Sequence, residues 1–209
     1  MEFVDKSEAL FEGTIIGDQL KEINAFYSSM QSDLDSFVRD YGIECPPGCG
    51  TCCERFMPDI TNLEALKIAV SILFSPERES FIDMLEENRD RTEGPCALYN
   101  AEDPDHHCRV YSSRPLICRL FHSSCFSDKS GHPSFRSCRF GTQRLDISSI
   151  IKDRDVPVMG EYGRALEELP GNDEETGSLP EMVLSAIEKV RLYMSFLFPD
   201  FDGTDNRAM

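Results

Sequence analysis

From Gly17 to Tyr41 apolar residues recur every three or four positions, at Leu20, Ile23, Tyr27, Met30, Leu34, Phe37, Val38 and Tyr41. That period predicts an amphipathic helix ending at Gly42. Thr61-Asn62-Leu63-Glu64 has the spacing of a capping box and predicts a helix to about Phe74. Ser75-Pro76 places a cap before a proline and predicts another helix to about Arg91. From Thr92 to Arg144 the period fades into Pro, Gly, His, Ser and Cys, so only short, irregular structure is expected. Helical pattern returns around Ile150 and over Gly163 to Leu169, and Gly171 to Gly177 reads as a solvated loop. Ser178-Leu179-Pro180-Glu181 then opens a strong helix to about Phe198, with Met182, Val183, Ala186, Ile187, Val190, Tyr193, Met194 and Leu197 on its apolar face. The tail beyond Pro199 is expected to fray.

The pattern therefore predicts a mainly α fold, a small helical domain with an irregular Cys-rich metal-binding loop region packed on the helices. Its parts are an N-terminal helical segment (1–44), a cysteine-cluster region (45–144) and a C-terminal helical segment (145–209), read together as one domain. No internal repeat is visible.

Composition fits this picture, since 40% hydrophobic and 28% charged residues are the profile of a soluble globular protein. The longest apolar runs, such as Ile68 to Phe74, are too short to span a bilayer. Met1-Glu2-Phe3-Val4-Asp5 opens with acids rather than a cationic leader, so a cytoplasmic address and reduced thiols are expected. The net charge of −17 argues against nucleic-acid or anionic-membrane binding, which calls for an extended basic face. Residues 106–144 reverse the sign, with one acid (Asp128) against seven bases. A basic island beside thiolates suits an anionic metal centre.

The thiols themselves are concentrated. Cys45-Pro46-Pro47-Gly48-Cys49-Gly50-Thr51-Cys52-Cys53 packs four into nine residues, on a loop whose prolines and glycines let several sulfurs converge. Soft ligands of this kind select zinc, copper(I) or iron–sulfur clusters. A disulfide knot fits poorly with nine cysteines, an odd count, and with the adjacency of Cys52 and Cys53. Cys45, Cys49 and Cys52 also match the C-x3-C-x2-C triplet of radical S-adenosylmethionine enzymes, but that chemistry requires alternating strands and helices that the pattern lacks.

A second set follows, with Cys96 after Gly94-Pro95 and then Cys108-x2-Tyr111-x2-Arg114-Pro115-x2-Cys118-Arg119-x-Phe121. In this order the sequence resembles the YkgJ-type cysteine-cluster family, a zinc- or iron-chelating domain. The resemblance runs from Cys45 to Phe121 and implies a mainly helical domain. It implies Cys45, Cys49, Cys52, Cys53, Cys96, Cys108 and Cys118 as metal ligands. Flagellin lysine methylase, a much larger relative, carries a similar cluster, so a methyltransferase-like or redox accessory enzyme is an alternative to a metal-binding protein. A metal-stabilised interaction module, docking a protein partner through its acidic helices, is another.

Arg109, Arg114 and Arg119 bring cations among the thiolates, lowering cysteine pKa values and offsetting the charge of a thiolate-bound cofactor; the competing reading is ion pairing with the acidic body. Tyr111 and Phe121 are read as apolar cover. Cys125 and Cys138 fall outside the shared motif and divide evenly between extra ligands and idle thiols. His106 and His107 are the best placed of the histidines, and His122 and His132 are expected to hydrogen-bond locally. Seven sulfurs exceed one tetrahedral zinc, and the uneven spacings suit the corners of a [4Fe–4S] cluster. An iron–sulfur cluster is therefore the expected cofactor, with zinc the alternative.

Overall fold

A computed structural model of the chain describes residues 10–45, 49–103, 107–136, 138, 155–173 and 175–197. The helix expected around Ile150 and the tail after Pro199 lie outside these residues, as does His106. The fold is mainly α, with the cysteines in a loop region.

Helix α1 spans Ile15–Tyr41 and buries one stripe, Ile16, Leu20, Ile23, Tyr27, Met30, Leu34, Phe37 and Tyr41. It starts two residues earlier than the periodicity predicts, because the Thr14 hydroxyl accepts the Gly17 N–H at 3.1 Å and fixes the N-terminus there. Gly42 ends it in the left-handed conformation (φ 61°), turning the chain toward Cys45.

Strand β1 (Asp59–Thr61) leads directly into α2 (Asn62–Leu73), and β4 (Thr176–Ser178) leads directly into α6 (Leu179–Leu197). The two strands pair antiparallel, Ile60 opposite Gly177, and so bring the N-termini of α2 and α6 together. Neither strand is legible from periodicity: three residues are too few to alternate, and Thr176-Gly177-Ser178 reads as part of a polar loop. Between the helices lies the largest apolar cluster, with Ile60, Ile68, Ala69, Ile72, Val183 and Ile187 at its centre. Helix α3 (Arg78–Glu87) adds Phe81 and Leu85 to this cluster and begins later than Ser75-Pro76 suggests, because Ser75 caps only a turn, its hydroxyl accepting from Glu77 N–H at 3.2 Å. A second cluster joins Phe11, Ile16 and Leu20 to Leu66, Val70, Val190 and Met194, locking α1 onto α2 and α6.

The middle of the chain is irregular, as expected. A 3₁₀ turn (Tyr111–Ser113) precedes the one-turn helix α4 (Leu116–Leu120), and a two-residue hairpin pairs β2 (Phe126–Ser127) with β3 (Pro133–Ser134). Helix α5 (Met159–Glu167) starts four residues before the predicted Gly163 and supplies Leu166 to a cluster with Tyr27, Met30, Leu63, Leu116 and Leu120. That cluster seats α4, the carrier of Cys118, against α1. Among the described residues no helix is long and apolar enough to cross a membrane.

Candidate metal centre

Backbone hydrogen bonds stitch the cysteine segments to one another. The Cys96 N–H donates to the Cys53 carbonyl at 2.7 Å, joining the first thiol loop to the second. A turn closes from Tyr99 N–H to Cys96 carbonyl at 3.1 Å, and Tyr99 then forms an antiparallel bridge with Cys108. Between the loops sits Gly50. A Cβ there would stand 2.5 Å from His107 Cβ and 2.7 Å from the Tyr99 ring, so the absence of a side chain is what lets the loops close.

The thiols so gathered act on one another electrostatically. Burial raises Cys45 to about 11, and charge on Cys49, Cys52 and Cys138 adds to the rise. Burial also raises Cys96 to about 11; a hydrogen bond from the Leu98 backbone opposes this, while Cys108 and Cys52 reinforce it. Cys108 is raised by burial against the pull of the Val110 backbone N–H and of Arg114 and Arg119. Cys118 is pushed well above the ordinary thiol range by burial and then by Cys96, Cys108 and Cys52, with Arg114 opposing. Cys52 and Cys53 lie 3.9 Å apart, sulfur to sulfur, and the hydrogen bond between them lowers Cys52 to about 6 and leaves Cys53 strongly raised.

Cys52 recurs in every one of these shifts because it is the thiol that ionises first, and its charge reaches each of the others. Such crowding is unfavourable for thiolates alone, since each charge raises the cost of the next, and a cation reverses the sign of that interaction. The sulfurs are gathered but not pre-set: among the described residues no three His, Cys, Asp or Glu side chains stand ready to hold one ion.

The other predicted residues divide. Arg114 and Arg119 face the thiols, with Arg114 stacked 3.6 Å over the Tyr111 ring and Arg119 4.2 Å over Tyr27. Arg119 is fixed further by donation from Nε to the Arg114 carbonyl (2.7 Å) and from a terminal nitrogen to the Ser112 carbonyl (2.6 Å). Arg109 turns to the acidic body instead, 3.5 Å from Glu77 and over the Phe81 ring. Tyr111 (63% exposed) and Phe121 (46%) lie largely in solvent, and Phe121 contacts the Phe56 ring at 6.2 Å. His107 pairs with the Asn100 carbonyl at 2.8 Å, and His132 closes the hairpin turn by donating its N–H to Asp128.

The two outlying cysteines are unlike. Cys125 is fully buried between Phe37, Tyr41, Phe135 and Val158, and burial alone raises it to about 11. Cys138 instead adjoins Cys45, and its N–H donates to His122 Nδ1 at 3.2 Å. His122 itself takes a left-handed backbone (φ 65°), unusual for a side chain of its size. No spacing in the sequence links Cys138 to Cys45; only the fold does.

Glu64 is a further residue that sequence reading places only in a cap. It is 4% exposed and accepts from Thr61 N–H (2.9 Å), Leu116 N–H (2.6 Å) and the Tyr27 hydroxyl (3.1 Å).

No curated protein and no solved structure matches the chain. One family model does: CxxCxxCC, described as "Putative zinc- or iron-chelating domain", over residues 44–142. That span holds all nine cysteines and the whole of the motif order from Cys45 to Phe121. Over residues 44–142 the chain is thus similar to the cysteine-cluster family that this model describes.

Proposed function

We propose that this protein binds an iron–sulfur cluster through its split cysteine site, with Cys45, Cys49, Cys52, Cys53, Cys96, Cys108 and Cys118 as the pool from which the ligands are drawn. The observation that supports the reading is the backbone bond joining Cys96 to Cys53, together with the electrostatic reach of Cys52 to five thiols on four stretches of chain. Uneven spacing and the cations Arg114 and Arg119 at one side favour a [4Fe–4S] cluster, whose corners are ligated separately and whose net charge with thiolates is negative. When bound, the cluster would supply one-electron chemistry or structural cross-linking. The protein's part is to hold the sulfurs together and offset their charge. Zinc is the second reading, favoured by the knuckle-like spacing of Cys49 and Cys52.

Anaerobic purification from iron- and zinc-replete cells, with metal analysis and an absorbance spectrum, tests the proposal. A broad band near about 400 nm with stoichiometric iron is the expected result. Colourless protein with stoichiometric zinc selects the second reading, and protein holding neither metal defeats both. Affinity should also rise with pH. Cys45 and Cys96 keep their protons to about 11, so binding must expel them. Each proton released makes affinity about tenfold stronger per pH unit below that value. A chelator competition that is flat from pH 6.5 to 8.5 (about two units of the tenfold rule) would contradict this.

A further inference from the structure

The geometry points to Glu64 as the positioning residue for Cys118, a role distinct from its helix cap. Its importance to metal binding rests on the proposed function, but the positioning itself does not.

The capping box needs only one carboxylate oxygen, Oε2, which accepts from Thr61 N–H at 2.9 Å while the Thr61 hydroxyl accepts from Glu64 N–H. The other oxygen, Oε1, reaches 52 residues along the chain to accept from Leu116 N–H at 2.6 Å. Leu116 is the first residue of α4, a five-residue helix with no side-chain cap of its own, since its N-cap is Pro115. An isolated turn that short does not persist in water, and the first N–H groups of any helix lack an internal acceptor. Glu64 supplies that acceptor from inside the core.

Leu116 and Leu120 seat α4 on Tyr27, Leu63 and Leu166, but apolar contact is non-directional and does not set rotation about the helix axis. A hydrogen bond at its first residue does. Cys118 lies two positions on, so the direction of its sulfur follows from that bond. The Tyr27 hydroxyl, 3.1 Å from the same Oε1, carries the constraint onward, because Arg119 rests on the Tyr27 ring at 4.2 Å. Both neighbours of the turn are thereby held from one buried carboxylate.

The test compares Glu64→Ala with Thr61→Ala, which weakens the same cap but leaves Oε1 on Leu116. Metal-free protein is pulsed with iodoacetamide without air, and labelling of Cys118 is read against Cys96 by peptide mass spectrometry. Glu64→Ala should raise the Cys118 to Cys96 ratio about tenfold, as expected when a buried donor loses its acceptor, with Thr61→Ala unchanged. Equal ratios in the two variants would overturn the proposal.

Hydrogen exchange on the wild type decides the matter even if Glu64→Ala does not fold. The Leu116 amide should exchange at least about tenfold slower than in an unfolded chain, and an unprotected amide would refute the role. Retention of the bound metal against a chelator should fall about 10- to 100-fold in Glu64→Ala, the usual loss when an outer-shell group is removed. If wild-type protein holds no metal, the functional reading falls while labelling and exchange still decide Glu64.

Discussion

Between α2 and α6, Ile68, Ala69, Val183 and Ile187 meet with essentially no surface left to solvent. The Cys96–Cys108 loop is anchored to that cluster by Ala97 and Leu98, but among the described residues it meets Cys49–Cys53 through a backbone hydrogen bond, a glycine gap and partly exposed thiols. Each fully buried aliphatic side chain in the first region contributes about 1.5–3 kcal/mol. A backbone hydrogen bond in the second contributes a net of about 0.5–1.5 kcal/mol, and the crowded sulfurs oppose one another until a cation joins them. One region is self-sufficient, and the other is arranged for something it must acquire.

Four substitutions sharpen or break this contrast. Cys52→Ser removes the thiol whose charge reaches five others, and it should abolish metal retention altogether while the far-ultraviolet dichroism of metal-free protein stays as in wild type. Metal at wild-type stoichiometry in this variant would mean that the thiols do not form one centre. Ile68→Ala opens a cavity between α2 and α6 and should cost about 2–5 kcal/mol in urea unfolding. Metal bound per folded molecule should not change, which separates the scaffold from the site. Gly50→Ala forces a methyl against His107 and Tyr99 and should cost about 1–3 kcal/mol, with the loss appearing as faster amide exchange in the two cysteine loops rather than in α2 or α6. Cys125→Ala, at the small end, should cost about 1 kcal/mol as a minor cavity and leave metal content intact; loss of metal would return Cys125 to the ligand pool.

Helices α1, α2 and α6 were legible because each buries a continuous apolar stripe, and Thr61-x-x-Glu64 declared both bonds of its capping box, whereas α5 buries only Leu166 and was read short. The split site was legible in outline, since cysteine spacing and the Arg-Pro and Cys-Arg pairs are local signals. What escaped depends on contacts between distant residues. The pairing of β1 with β4 involves too few residues to leave a period. Cys138 adjoins Cys45 across ninety-odd positions with no shared motif. Arg109 and Arg114 look alike in sequence, yet one faces Glu77 and the other the thiols, because the 3₁₀ turn between them rotates the chain. Glu64 carried a readable signal for one of its three bonds only.

The packing of α2 against α6 has a consequence for the order of biosynthesis. Every thiol of the cysteine cluster leaves the ribosome before α6 does, and until α6 arrives the cluster around Ile68, Ala69 and Ile72 lacks Val183, Leu184 and Ile187. For that interval the nascent chain presents its cysteines without the platform that gathers them. Assembly of the thiols is therefore expected to finish only with α6, and a chain stalled before Leu179 should carry more reactive thiols than the full chain.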